Sequence, residues 1–209
     1  MKYGLIVRKL YLDGEKYIRA SRLREYSKTI GMKYEDVIRY LIANKYLHRI
    51  MRGVFYLPSI EERKLKKIEV SVYGAISKAM EIKGVKNWYF GLESAMKLNN
   101  LTHEYFATEY VISDTIFRAR AYTILGTKVK FLKLKRRLTD FGIIRKNNLS
   151  YSGPEKTMLD VAYLARYGGL KDAEIKSKVS DILPRCSKKT LLSYAKNYNN
   201  SILEFVKTL

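Results

Sequence analysis

Three short amphipathic segments open the chain, and only a short turn separates the second from the third. Apolar side chains recur at helical spacing over residues 3–12, 21–31 and 34–44. Ser21 is predicted to cap the second helix, and Gly31 is predicted to end it. Two helices joined by so short a turn are typical of a helix-turn-helix.

Two short runs of alternating residues follow the third helix. Residues 47–51 and 54–57 alternate as strands do, and they meet at Arg52-Gly53, where glycine supplies the positive φ that a tight hairpin needs. The charged stretch 61–67 is interpreted as a linker or as the solvated start of another helix. The sequence therefore predicts a winged helix-turn-helix domain over residues 1–67.

The remaining residues, 68–209, are predicted to form a second, mixed α+β domain. The apolar spacing predicts helices over residues 70–82, 88–98, 155–167, 171–182 and 188–207, the last with a break near 198–200. Alternating runs predict strands over residues 105–112, 119–125, 128–134 and 142–145. The whole chain is therefore expected to be an α+β protein.

The charge of the chain limits the classes of partner. Lys and Arg number 41 against 20 Asp and Glu, so the formal net charge is +21, which favours polyanions such as nucleic acid. No apolar run approaches the roughly 20 residues that cross a bilayer, and no secretory signal is recognisable, so we expect a cytoplasmic protein without a membrane partner. One cysteine and two histidines offer neither a disulfide nor a metal site, and no cofactor is expected.

Much of the positive charge falls in the predicted winged helix, where residues 1–67 contain 17 Lys and Arg against 7 Asp and Glu. In this fold the third helix enters the major groove, the second crosses the phosphates and the wing reaches the minor groove. Arg39 and Tyr40 are the predicted base-edge contacts. The full set of predicted DNA-binding residues is Arg22, Arg24, Lys28, Lys33, Tyr34, Arg39, Tyr40, Arg49 and Arg52.

A second concentration of positive charge lies between residues 118 and 146, with ten Lys and Arg against one acid, Asp140. Basic and apolar residues alternate there, which predicts a strand with one basic and one buried face. A solvated sheet face, further nucleic-acid binding and an acidic protein partner all fit this pattern. The candidate residues of this second basic surface are Arg118, Arg120, Lys128, Lys130, Lys133, Lys135, Arg136 and Arg137.

Three segments together resemble the AbiEi-type antitoxins of type IV toxin-antitoxin systems in content, order and spacing. They are LHRIMRGVFYL at 47–57, YFGLESAMKL at 89–98 and YSGPEKTMLD at 151–160. The resemblance implies a winged helix that binds promoter repeats and represses its own operon. We expect this binding to involve a homodimer or to be cooperative. The resemblance also implies a second domain that neutralises a cognate nucleotidyltransferase toxin, with antitoxicity assigned to the second basic surface.

The sequence predicts no enzyme. The acids are scattered, and His48 and His103 have no nucleophile at a diagnostic spacing. For Glu155, Lys156, Thr157 and Asp160 we favour a structural role at a helix start over a catalytic or recognition cluster. Two alternatives to the repressor-antitoxin stay open. One is a stand-alone winged-helix transcription factor whose second domain serves dimerisation or sensing, and the other is a metal-dependent nuclease.

Overall fold

The computed structural model describes residues 2–209, which form two compact units. The first unit runs to Gly84 and includes Ile124–Gly126, and the second comprises Val85–Thr123 and Thr127–Leu209. The predicted α+β class is confirmed, with a three-stranded antiparallel sheet in the N-terminal region and a mixed six-stranded sheet after it.

The first unit contains the predicted helix-turn-helix and hairpin. Its helices bury one face in a common core that includes Leu10, Leu23, Leu41 and Phe55. Its elements in chain order are α1 (Lys2–Leu12), β1 (Tyr17–Arg19), α2 (Ala20–Thr29), α3 (Tyr34–Ala43), β2 (His48–Met51), β3 (Val54–Tyr56), α4 (Ile60–Leu65) and α5 (Val72–Ile82).

The strand β1 was not predicted, and it changes where α2 begins. It pairs antiparallel with β3, which also pairs with β2, so the sheet order is β1-β3-β2. The Ala20 amide donates to the Gly53 carbonyl at 2.9 Å, and the chain passes from β1 directly into α2. Arg19 therefore occupies the N-cap position, without a side-chain cap, and the prediction that Ser21 caps this helix is wrong.

The charged stretch after the hairpin is helical. Ser59 and Glu62 form a capping box at the start of α4, and the buried Glu62 carboxylate accepts hydrogen bonds from the Tyr56 hydroxyl and the Glu69 amide. Burial alone would raise the pKa of Glu62, but hydrogen bonds from the Glu69 and Ser59 amides and from the Tyr56 hydroxyl outweigh it and lower the pKa. This carboxylate therefore stabilises the chain just after the wing.

The first unit continues past residue 67, where the sequence places its limit, because α5 packs on the hairpin strands β2 and β3. Ala75, Ile76, Ala79 and Met80 form the fully buried face of α5. These residues have helical spacing, but their local pattern does not specify the unit on which the helix packs.

The second unit is built on a sheet of order β6-β7-β5-β4-β9-β8, which mixes parallel and antiparallel pairs. Its strands are β4 (Trp88–Phe90), β5 (Thr108–Ser113), β6 (Tyr122–Ile124), β7 (Thr127–Lys133), β8 (Ile143–Lys146) and β9 (Leu149–Ser152). Its helices are α6 (Leu92–Leu98), α7 (Pro154–Tyr167), α8 (Asp172–Val179), α9 (Lys188–Ala195) and α10 (Asn200–Lys207). The predicted break near 198–200 is confirmed, whereas β9 was not predicted.

The predicted helix over residues 88–98 is wrong in its first turn. Trp88–Phe90 forms β4 between β5 and β9, and α6 starts only after Gly91. Tyr89 and Phe90 are both fully buried, as a central strand covered on both faces requires. Gly91 leaves room for a close approach here, because a Cβ would lie 2.5 Å from Ile112 Cδ1 and would force that buried side chain to move.

Candidate nucleic-acid interface

The first unit has a groove of about 1020 Å³ that side chains from α2, α3 and the hairpin line. Five cations converge on it, and we call it the cationic groove. They are Arg24 from α2, Arg39 from α3, Arg49 and Arg52 from the hairpin, and Lys83 from the residue after α5. Five positive charges in one concave surface favour a polyanionic ligand.

Local sequence patterns explain how these side chains reach the groove. Along α3, Val37 and Leu41 face the core and are fully buried, whereas Ile38, Arg39 and Ile42 line the groove. In β2 the exposed Arg49 precedes the buried Ile50. The hairpin turn places Arg52 beside Gly53, whose φ of 82° confirms the predicted positive-φ glycine.

Aromatic rings support two of the arginines. The Arg24 guanidinium lies 4.7 Å from the centre of the Tyr34 ring, and the Arg49 guanidinium lies 5.7 Å from that of Phe55. An exposed cation–π contact contributes about 0.5–1 kcal/mol and leaves the N–H groups free to donate to a ligand. Arg39 is accessible to a ligand, because its side chain is 78% exposed and its ion pair with Asp36, at 3.6 Å, is a weak surface contact.

Lys83 is a groove residue that the sequence analysis missed. Its Nζ donates to the carbonyl oxygen of Arg52 at 3.2 Å, so it contacts the turn of the wing directly. The signal that could have found it is the apolar face of α5, but that pattern gives no partner for the helix. Only the packing of α5 on the hairpin carries Lys83 to the groove.

Four predicted DNA-binding residues do not line the cationic groove. Arg22 instead forms ion pairs with Asp13 and Glu25 and lines a separate pocket of about 800 Å³. Lys28 and Lys33 are exposed but lie outside the groove. Tyr40, predicted as a base contact, stacks on Tyr3 with ring centres 4.0 Å apart and also lies against Tyr46. The α1 helix therefore occupies the face of Tyr40 that the helical pattern left open.

Most side chains of the second basic surface are exposed to solvent on the second unit. In β7, Val129 and Phe131 are fully buried while Lys128 is exposed and Lys130 partly so, which confirms the alternation predicted for this strand. After β7 the alternation stops. Arg136 and Arg137 lie in a 3-10 turn that ends at the buried Leu138. The exposed members of the surface are Arg118, Arg120, Lys128, Lys133, Lys135, Arg136 and Arg137.

A buried polar cluster joins α7 to the rest of the second unit. Lys156 and Asp160 are an ion pair with no solvent exposure, and Asp160 also accepts hydrogen bonds from the hydroxyls of Tyr89 and Tyr198 at 2.8 and 2.7 Å. The Lys156 ammonium lies 5.0 to 5.1 Å from the ring centres of Tyr89, Phe141 and Tyr198. Burial lowers the pKa of Lys156, and the Asp160 carboxylate opposes that shift.

The burial of this cluster agrees with the structural role favoured for Lys156, Thr157 and Asp160, since none of them reaches solvent. Glu155, the other member of the predicted group, accepts a hydrogen bond from the Ser187 amide at 3.0 Å. Within residues 2–209, no three His, Cys, Asp or Glu side chains lie together as a metal site would need. Over the same residues, no helix combines the length and apolar character of a membrane span.

Comparisons with known proteins show a shared fold but no family. No protein-family model matches the sequence, and no curated protein matches it. Among solved structures, the crystal structure of the RV2827C protein from Mycobacterium tuberculosis aligns with a TM-score of 0.58 at 12% sequence identity. The alignment covers 97% of this chain and 74% of that chain. This protein therefore shares its α+β fold with the RV2827C protein.

Proposed function

We propose that the protein binds double-stranded DNA through the cationic groove and represses its own operon at promoter repeats. We propose further that its second basic surface opposes a nucleotidyltransferase toxin. The DNA-binding part rests on one structural observation, the convergence of five cations beside α3, and the antitoxin part rests on the resemblance to AbiEi-type antitoxins.

The composition of the groove supports a duplex as its ligand. In a helix-turn-helix the second helix of the motif enters the major groove, and here that helix, α3, exposes Arg39 toward the cationic groove. Arg49 and Arg52 lie on the hairpin, at the position from which a wing reaches the neighbouring minor groove. A helix and a hairpin that are both cationic and line the same groove fit the alternating grooves and phosphates of a duplex.

The salt dependence of duplex binding tests this proposal. We expect the wild-type protein to select a duplex from a randomised pool. The logarithm of its association constant for that duplex should fall linearly with the logarithm of the salt concentration. If the three groove cations other than Arg39 and Arg52 contact phosphates, the slope reaches about −2.7. Fluorescence anisotropy of the selected duplex measures it. A protein that binds no duplex, or binds with a slope near zero, contradicts the proposal.

Lys83 should contribute one of these contacts. Replacing Lys83 with methionine should reduce the magnitude of the salt slope by about one, because one phosphate contact is lost. Lys78→Met is the matched control, since Lys78 lies on α5 just before Lys83, pairs with Glu81 at 2.6 Å and lines a different pocket. Equal slopes for the two variants would show that Lys83 does not contact the duplex.

The antitoxin part of the proposal predicts that the cationic groove and the second basic surface have separate functions. Changing Lys133, Lys135, Arg136 and Arg137 together to glutamate should leave duplex binding intact and abolish protection against the toxin. The measurement is growth of cells that co-express a nucleotidyltransferase encoded beside this protein. Full protection by the variant would make this surface a solvated face. An adjacent reading frame that encodes no nucleotidyltransferase would favour the stand-alone transcription factor instead.

A further inference from the structure

An acidic side chain lies among the cations of the groove. Of the residues between 2 and 209 that line the cationic groove, Glu35 is the acidic one, and it is exposed. Within the same residues no Lys or Arg forms an ion pair with its carboxylate, whereas the neighbouring Asp36 pairs with Arg39. The Glu35 carboxylate is therefore free to accept hydrogen bonds from a ligand in the groove.

Glu35 opposes the general attraction between this groove and phosphates. A negative charge among five positive ones weakens binding to every polyanion, whatever its sequence. Stabilisation of the positive end of α3 does not require Glu35 to face the ligand, because Asp36 lies in the same first turn. An acid that lowers general affinity and faces the ligand suits a role in discrimination between ligands.

The position of Glu35 on α3 indicates which part of a ligand it would contact. It is the second residue of the helix Tyr34–Ala43, and the N-terminal residues of a recognition helix are those that contact base edges. In the major groove, cytosine presents only its N4 amino donor, whereas guanine presents acceptors and thymine an acceptor and a methyl group. Adenine has a donor beside the N7 acceptor, which repels a carboxylate. Cytosine is therefore the base from which a carboxylate most readily accepts a hydrogen bond.

We propose that Glu35 determines sequence specificity by accepting a hydrogen bond from the N4 amino group of a cytosine. This inference rests on the proposed DNA-binding function and adds to it a residue and the base that it recognises. Glu35→Gln keeps the shape of the side chain, removes its charge and adds a donor, so the variant should discriminate less between two kinds of duplex. It should weaken binding to the selected duplex and leave unchanged or strengthen binding to a scrambled duplex of the same composition.

The experiment compares dissociation constants for the wild-type protein and Glu35→Gln on the selected and scrambled duplexes. The dissociation constant for the scrambled duplex divided by that for the selected duplex measures specificity. We expect this ratio to fall by about tenfold in the variant. Each C·G pair of the selected duplex is then replaced by T·A in turn. One replacement should weaken wild-type binding by about tenfold. The same replacement should leave the dissociation constant of the variant unchanged, because the contact between Glu35 and that cytosine is already lost.

Glu25→Gln is the matched control. It makes the same chemical change on α2, where Glu25 pairs with Arg22 away from the groove. It should therefore change the dissociation constants of both duplexes by the same factor. A Glu35→Gln ratio that equals that of Glu25→Gln overturns the assignment of Glu35 while duplex binding stands. If the wild-type protein binds no duplex, the proposed function fails, and this inference fails with it.

Discussion

Replacing Arg39 and Arg52 together with alanine should weaken binding to the selected duplex on the order of 100-fold or more, since each arginine that contacts a base contributes about 1–3 kcal/mol. Arg39 lies on the exposed face of α3 and Arg52 at the turn of the wing, so the two side chains approach the duplex from different elements. Both are exposed, and alanine at either position removes little packing.

Equilibrium titration of a labelled duplex measures this effect, and thermal unfolding checks that the fold is intact. The control is a variant with the same loss of two charges at exposed arginines outside the groove, Arg8→Ala with Arg185→Ala. That control should lose only the small share of affinity that depends on total charge. An equal loss in the two double variants would mean that net charge alone accounts for binding.

Replacing Asp160 with alanine should destabilise the second unit by about 3–5 kcal/mol, because the Lys156 ammonium would stay buried without its counter-ion. The hydroxyls of Tyr89 and Tyr198 would also lose their acceptor. Small domains have only about 5–15 kcal/mol of net stability, so this one change removes a large share of it.

Urea unfolding followed by tryptophan fluorescence measures the change in the right unit. Trp88, the one tryptophan of the sequence, lies in β4 next to Tyr89. The double variant Lys156→Met with Asp160→Leu should recover only part of the lost stability. It removes the unpaired ammonium, but the buried hydroxyls of Tyr89 and Tyr198 still lack their acceptor. A loss below about 1 kcal/mol in Asp160→Ala would mean that Lys156 finds another partner or reaches water.

Local patterns were sufficient where one element determines its own exposed face. The helical period of α3 correctly separated the buried Val37 and Leu41 from the exposed Arg39, and Gly53 marked the hairpin turn. The same reasoning missed three short strands. No alternating run was recognised at Tyr17–Arg19 or Leu149–Ser152, and Trp88–Phe90 was merged with the helix that follows it.

The sequence by itself determined the order of the first three helices and the hairpin, the excess of positive charge in this region, and the arginines of α3 and the hairpin. Only the tertiary structure decided that α1 covers Tyr40, that α5 brings Lys83 to the wing, and that Lys156 is buried beside Asp160. The physical reason is that a periodic pattern shows which face of an element is apolar. Which other element covers that face depends on contacts between residues far apart in the chain, and a local pattern does not contain them.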